Sequence, residues 1–291
     1  MRLLVLCALL WAVPAVAQVR LPETFRLGYL SERVEFSVQY MAPALALFRK
    51  QLAPYGVKDV QLEVAPSIEQ MAEMVRSGRV DMFISTPFPV LRTARIAGVR
   101  PVLCGIPLRP KHAAFFVRRD SPVKTLADLD GKKLAFTITY SSPGFFVPIL
   151  HLLKAGFVLN RAAPGKKVVY TSLSGHNINS MYWLYFNRCD AVAVGDDDLR
   201  KVSPKLQAAV RELEVTATYP GFFVLMASTW TPAQAQLMIS YLSHMHQDPA
   251  GQDLLNKTYG CRELAPISPD VARWIAEADT ALSEMESAHI H

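Results

Sequence analysis

The chain has 291 residues, 51% hydrophobic and 19% charged, with a formal net charge of +6. That length suits two lobes of ordinary domain size rather than one small domain. The basic residues are spread along the chain, and no lysine- or arginine-rich run is interleaved with aromatics, which argues against nucleic acid as a partner.

The first seventeen residues, MRLLVLCALLWAVPAVA, combine Arg2, an apolar run and an Ala-Val-Ala ending, and read as a secretory signal over 1–17, cleaved before Gln18. Cys7 follows leucine rather than a small residue, which argues against lipid attachment there. Loss of Arg2 takes the charge from +6 to +5 and leaves Cys104, Cys189 and Cys261. An odd number leaves at least one thiol unpaired, and the wide spacing gives no zinc pattern. No later stretch reaches eighteen uninterrupted apolar residues, so the expectation is a soluble periplasmic protein.

Short apolar strands then alternate with amphipathic helices, the period of βαβ units in a largely parallel sheet, and the predicted class is α/β. Strands are predicted at Arg26–Leu30, Val60–Val64, Val80–Ile84, Val102–Ile106, Ala113–Val117, Leu134–Ile138, Val168–Thr171, Ala191–Val194 and Phe222–Met226. Val38, Met41, Leu45, Phe48 and Leu52 fall three and four apart and predict one buried helical face, on a helix that starts near Tyr40 or bends at Pro43. Ile68, Met71 and Val75 predict the inward face of a second helix. The stretch 120–131 reads as a crossing between lobes followed by a short capped helix, and 216–221, with Tyr219-Pro220-Gly221, as the return. Lobe one is then 18–117 plus 220–291 and lobe two 118–219, with helices at Pro232–Met245 and Pro269–Glu286 closing against lobe one.

Two strand ends carry the grammar of an anion cradle. The strand ending at Ile84 meets Ser85-Thr86-Pro87-Phe88 ahead of a helical run, and KLAFTITYSSPGFFVP, 133–148, runs from a strand into Ser141-Ser142-Pro143-Gly144. Proline at a first helical position loses no bond, hydroxyls cap the orphan amides, and the positive end of the helix dipole favours an anion. Crossing twice between two α/β lobes places such ends along one cleft. The predicted ligand residues are Ser85 and Thr86 from lobe one and Tyr140, Ser141 and Ser142 from lobe two. His176, before the helical run Asn177–Phe186, and Asp197, after a strand in Val194-Gly-Asp-Asp-Asp-Leu199, join them. Against each stands a structural reading: a lone serine caps its helix, His176 is a satisfied or surface histidine, and two of the three aspartates are a solvated helix start. The order Ser142, His176, Asp197 also permits a secreted serine hydrolase, but no G-x-S-x-G elbow accompanies it. His244 and His246 face different ways on a helix, so no metal is expected, and no cofactor is implied.

In their order, Thr125-Leu-Ala-Asp-Leu-Asp-Gly-Lys-Lys-Leu-Ala-Phe136, Ser141-Ser-Pro-Gly-Phe-Phe-Val-Pro148, Gly175-His176 and Cys189-Asp-Ala-Val-Ala-Val-Gly-Asp-Asp-Asp-Leu199 resemble the phosphate-, phosphite- and phosphonate-binding periplasmic proteins of ABC importers, a branch of the type II periplasmic binding proteins. The resemblance spans most of the sequence after residue 17. It implies two α/β lobes joined by a two-segment hinge with a ligand cleft between them, and a binding protein rather than an enzyme. It places Ser141 and Ser142 on the oxyanion, matches His176 to the family's Gly-His histidine, and makes Asp197 the ligand-facing acid. The implied ligand is phosphate, phosphite or a phosphonate, and the implied partner is an importer permease.

Some positions depart from the aminoalkylphosphonate binders. Pro143 replaces a third hydroxyl residue, Ser85 stands where an aromatic is common, Phe222 stands where a carboxylate would grip a ligand amine, and a tyrosine near Ile68 is missing. These departures point to a small anion, or one with an apolar tail. Periplasmic proteins similar to this family also present arsenite or another oxyanion to a sensor histidine kinase through a cysteine, and Cys104 is the thiol ligand of that alternative, against its reading as a small buried hydrophobe.

Overall fold

A computed structural model describes residues 19–31, 34–161 and 163–287. The signal read at 1–17 and its cleavage before Gln18 lie outside the described residues. The strands among them are β1 (Thr24–Leu30), β2 (Asp59–Ala65), β3 (Met82–Ser85), β4 (Leu103–Pro107), β5 (Ala113–Arg118), β6 (Lys133–Phe136), β7 (Phe157–Leu159), β8 (Lys167–Leu173), β9 (Ala191–Gly195), β10 (Val210–Val215), β11 (Phe223–Met226) and β12 (Cys261–Pro266). The α-helices are α1 (Val34–Leu52), α2 (Ile68–Arg76), α3 (Pro87–Ala97), α4 (Val147–Lys154), α5 (Asn177–Tyr185), α6 (Pro204–Ala209), α7 (Pro232–His244), α8 (Pro249–Leu254) and α9 (Pro269–Ser287).

The strands form two six-stranded sheets, in the orders β12-β4-β11-β3-β1-β2 and β10-β5-β9-β6-β8-β7. In the first, β1 runs parallel to β2 and β3, while β11 lies antiparallel to β3 and β4. In the second, β6 runs parallel to β8 and β9, and β5 lies antiparallel to β9 and β10. The central parallel strands β3 and β9 are almost wholly apolar and buried, as expected where helices cover both faces of a sheet. The strands that sequence reading missed, β7, β10 and β12, are all at sheet edges. Edge strands are short or half-solvated, and charges such as Arg211, Glu212 and Glu214 in β10 dilute the apolar signal.

Four expectations are corrected. Ala113–Val117 was assigned to lobe one, yet β5 pairs with β9 and β10 and so belongs to the second sheet; the chain therefore crosses at 108–112, ahead of the predicted 120–131. AAFFV is uniformly apolar and buried, and such a run carries no mark of which sheet receives it. The return runs between β10 and β11, and the two crossings bridge each other, with Tyr219 N–H donating to Lys111 O at 3.1 Å. The strand predicted to reach Ile138 stops at Phe136. Helix α1 begins at Val34 and runs through Pro43, with Met41, Ala44, Phe48 and Leu52 buried and Val38 exposed. Helix α9 does not rest on the first sheet's helices alone: it packs on α3 and on α4, and Trp274 meets both Phe223 and Phe146. Ile68, Met71 and Val75 of α2 are buried as predicted.

The main hydrophobic core is shared between the sheets. The Phe88 ring, at the start of α3, stacks on Phe146 with centroids 4.8 Å apart and lies 5.8 Å from Phe145. All three rings are buried. Burying a phenylalanine contributes roughly 1.5–3 kcal/mol from area alone, so these rings hold the two cradles face to face.

Candidate functional site between the two sheets

The cradle on the first sheet is built by β3 ending at Ser85 and α3 starting at Pro87. Thr86 is the N-cap residue in extended backbone, and its hydroxyl makes no capping bond; Pro87 and Pro89 carry no N–H and the Phe88 N–H is bonded across the sheets, so what the helix start offers the cavity is a hydroxyl. The cradle on the second sheet begins with a π-turn over Ser142–Phe146 that runs into α4. Gly144 is required there: a Cβ at this position would sit 2.2 Å from Thr137 Oγ1, so only glycine lets the turn close onto the end of β6.

The two cradles meet. Phe88 N–H, at the start of α3, donates to Ser142 Oγ at 2.9 Å across the sheets. Ser142 is fully buried, and its oxygen already satisfies an orphan amide of the facing helix. Ser141 Oγ accepts from Gly144 N–H at 3.0 Å and caps its own turn. Both serines expected on the ligand thus hold the cradles in place.

Two cavities open between the sheets. The inner one, ≈ 220 Å³, is lined by Tyr29, Tyr40, Ser85, Thr86, Tyr140 and Tyr259, with Leu30, Met41, Ile84, Pro89 and Phe222 among its apolar wall. Burial raises the pKa of Tyr29 and of Tyr40 above the usual phenol value, with Tyr40 and Tyr140 adding to the effect on Tyr29. These phenols are therefore neutral hydrogen-bond donors at physiological pH. The outer cavity, ≈ 640 Å³, is lined by Arg109, Lys111, Asp197, Asp198, Arg200 and Lys201, with Asn177 and Tyr219.

Of the seven predicted ligand residues, Ser85, Thr86 and Tyr140 come together in the inner cavity, whereas Asp197 lines the outer one and pairs with Arg200. His176 is the N-cap of α5, where its Nδ1 accepts from Ile178 N–H at 3.2 Å, and it is solvent-exposed. The buried member of the aspartate run is Asp198, which accepts from Gly195 N–H at 3.0 Å, Asn177 Nδ2 at 2.6 Å and Lys201 Nζ at 2.6 Å. Ser142, His176 and Asp197 are each committed to a different local contact, and no triad is assembled. Cys104 is 2% exposed in the sheet core, donates to Gly105 O and has its pKa pushed up to about 12 by burial. A buried, protonated thiol cannot serve as the expected ligand. Cys189 and Cys261 are likewise buried and free.

Sequence reading missed Tyr29, Tyr40 and Tyr259. Tyr29 lies two residues inside the strand signal and Tyr40 on a helical face, so neither stands at a strand-to-helix turn. Tyr259 closes a π-turn over Leu255–Tyr259 and is brought to the cavity from the far end of the chain.

The family model described as "ABC transporter, phosphonate, periplasmic substrate-binding protein" matches residues 31–271. The Escherichia coli (strain K12) protein named "Putative aliphatic sulfonates-binding protein" is 32% identical over 123 residues, 42% of this chain and only 36% of that protein's length. Among solved structures, XAC2383 from Xanthomonas citri bound to chloride superposes with a TM-score of 0.82 at 23% identity, covering 92% of this chain and 100% of that one. The same protein bound to ATP gives 0.81 at 23% identity, over 93% and 100%. PhnD1 from Prochlorococcus marinus (MIT 9301), in complex with methylphosphonate, gives 0.64 at 15% identity, over 90% of this chain and 98% of that one. These likenesses establish a two-lobed binding-protein fold, and the family's members bind solutes and are not enzymes. With a match over most of its length, the chain belongs to the periplasmic phosphonate substrate-binding family of ABC transporters.

Proposed function

We propose that this protein captures a small organic oxyanion, a phosphonate or sulfonate with a short apolar substituent, in the inner cavity and delivers it to the permease of an ABC importer. One observation carries the reading: hydroxyls of Ser85, Thr86 and Tyr140, contributed from both sheets, line one cavity at the start of α3 whose N-cap hydroxyl is uncommitted. Neutral hydroxyls at the positive end of a helix dipole stabilise an anion without a full countercharge. The volume of ≈ 220 Å³ holds about seven water-sized groups at ~30 Å³ each. Methylphosphonate and ethanesulfonate fit that size. Leu30, Met41, Ile84 and Phe222 give a short alkyl group an apolar seat, which favours an organic anion over phosphate or phosphite. The family's periplasmic setting accords with a signal over 1–17 cleaved before Gln18, and the two sheets are the bodies that close on the ligand about the crossings at 108–112 and 216–222.

The test is thermal unfolding of the protein from Gln18 onward with methylphosphonate, methanesulfonate, ethanesulfonate, phosphate, phosphite and aminoethylphosphonate. A ligand at one hundred times its Kd adds about 2.7 kcal/mol, a rise of about 5 °C for a chain of this length. Stabilisation by an alkylphosphonate or alkanesulfonate is the expected result; stabilisation by none of the six overturns the reading.

A further inference from the structure

The inner cavity contains a polar group that the fold does not explain. Tyr259 is 5% exposed, lines the cavity, and its hydroxyl is buried without a hydrogen-bond partner among the described residues. A buried hydroxyl left unsatisfied costs roughly 1–3 kcal/mol, and a phenylalanine would fill the same space without that cost. Its neighbours are satisfied: Tyr40 Oη donates to Thr258 O at 3.0 Å. The Tyr259 ring is held rigidly, edge-on to Phe222 with centroids 5.2 Å apart, and Lys111 Nζ caps the other ring of that pair at 5.0 Å. The backbone that delivers Tyr259 is a π-turn ended by Gly260 in the left-handed region at φ 59°. A π-turn costs regular helical bonding and recurs where a side chain is aimed at a function.

We infer that Tyr259 is a ligand-contacting, specificity-determining residue, its hydroxyl donating to an oxygen of the bound organic oxyanion. The inference rests on the reading of the inner cavity as the ligand site. Burial, then the neighbouring Tyr40, Cys261 and Tyr29, raise the pKa of Tyr259 above the ordinary phenol value, which keeps it a neutral donor rather than a phenolate facing an anion. Donation from a rigid, already desolvated hydroxyl adds affinity without a further ordering cost. The first sheet then contributes donors to the ligand from three separated stretches, Ser85 with Thr86, Tyr29, and Tyr259, the last of them drawn from the segment that follows the return crossing.

The experiment is Tyr259→Phe, read by two measurements on the same samples: calorimetric affinity for methylphosphonate and methanesulfonate, and thermal unfolding without ligand. The expected result is a fall in affinity of about tenfold or more for whichever probe the wild type binds, the loss of a hydrogen bond to an anion, together with an unliganded Tm that is unchanged or higher. Unchanged affinity overturns the inference, and so does a loss of affinity matched by a fall in unliganded Tm, because that is the signature of a structural hydroxyl. Wild-type protein that binds neither these two probes nor any of the other four anions overturns the reading of the cavity itself and takes this inference with it.

Discussion

The inner and outer cavities lie between the same two sheets and are built on opposite principles. The inner one is lined by neutral hydroxyls against an apolar wall, and the outer one by Arg109, Lys111, Asp197, Arg200 and Lys201 in the open. Charge is abundant where water can screen it, and in the outer cavity it is consumed internally: Asp197 pairs with Arg200, and Asp198 with Lys201. The Asp197–Arg200 pair is exposed on both sides and contributes at most about 1 kcal/mol, whereas Asp198 is a buried carboxylate held by its own turn. Neutral donors are concentrated in the smaller, partly buried space, and there each hydrogen bond to an anion counts for more. On the proposed reading, fixed donors in a confined space, rather than the number of charged residues, select the anion.

The contrast can be broken or sharpened in order of effect. Phe88→Ala removes a fully buried ring that stacks on Phe146 across the sheets. The expected loss is about 3–5 kcal/mol, read by denaturant unfolding; a loss below 1 kcal/mol would mean the sheets do not depend on this contact. Removing both Ser85 and Thr86 hydroxyls as alanines is expected to weaken oxyanion affinity by about tenfold or more, with little change in Tm. If affinity is unaltered in that double variant, the cradle at α3 is not the anion site. Asp197→Asn, in the outer cavity, is expected to change affinity by less than about twofold, since one exposed pair is all that it disturbs. A larger fall would shift the ligand towards the charged cavity.

The smallest effect is that of pH. Because burial raises the pKa of Tyr29 above 10.0, it stays a protonated donor throughout the neutral range, and its contribution to binding is lost only as pH rises through that raised value. Affinity for methanesulfonate, which does not itself titrate there, should therefore be level from about pH 6 to about pH 9. A decline across neutrality would implicate a group of another kind, such as a histidine.

Much of the fold was legible because each signal is local. Alternating apolar strands and helices gave the α/β class, and the turns after Ile84 and Tyr140 were found from proline, hydroxyl and glycine order alone. Ser85, Thr86 and Tyr140 followed from those turns, and the structure groups them in one cavity. The same local grammar leaves the roles of Ser141, Ser142 and His176 open, because a hydroxyl or imidazole at a helix start looks alike whether it caps an amide or awaits a ligand. Ser141 bonds its own turn, His176 caps α5, and Ser142 takes its proton donor from Phe88, 54 positions away, so its role is invisible in the local sequence.

By itself the sequence determined the class, the two cradles and the resemblance to a periplasmic binding family, since periodicity, capping and turn chemistry are properties of neighbouring residues. Only the tertiary structure decided that β5 belongs to the second sheet, that Cys104 is buried core, that the aspartate run faces a different cavity, and that Tyr259 meets Tyr29 and Tyr40. Those outcomes depend on which distant surfaces pack together, and packing is fixed by the sum of many weak contacts across the chain, which no short stretch of residues records.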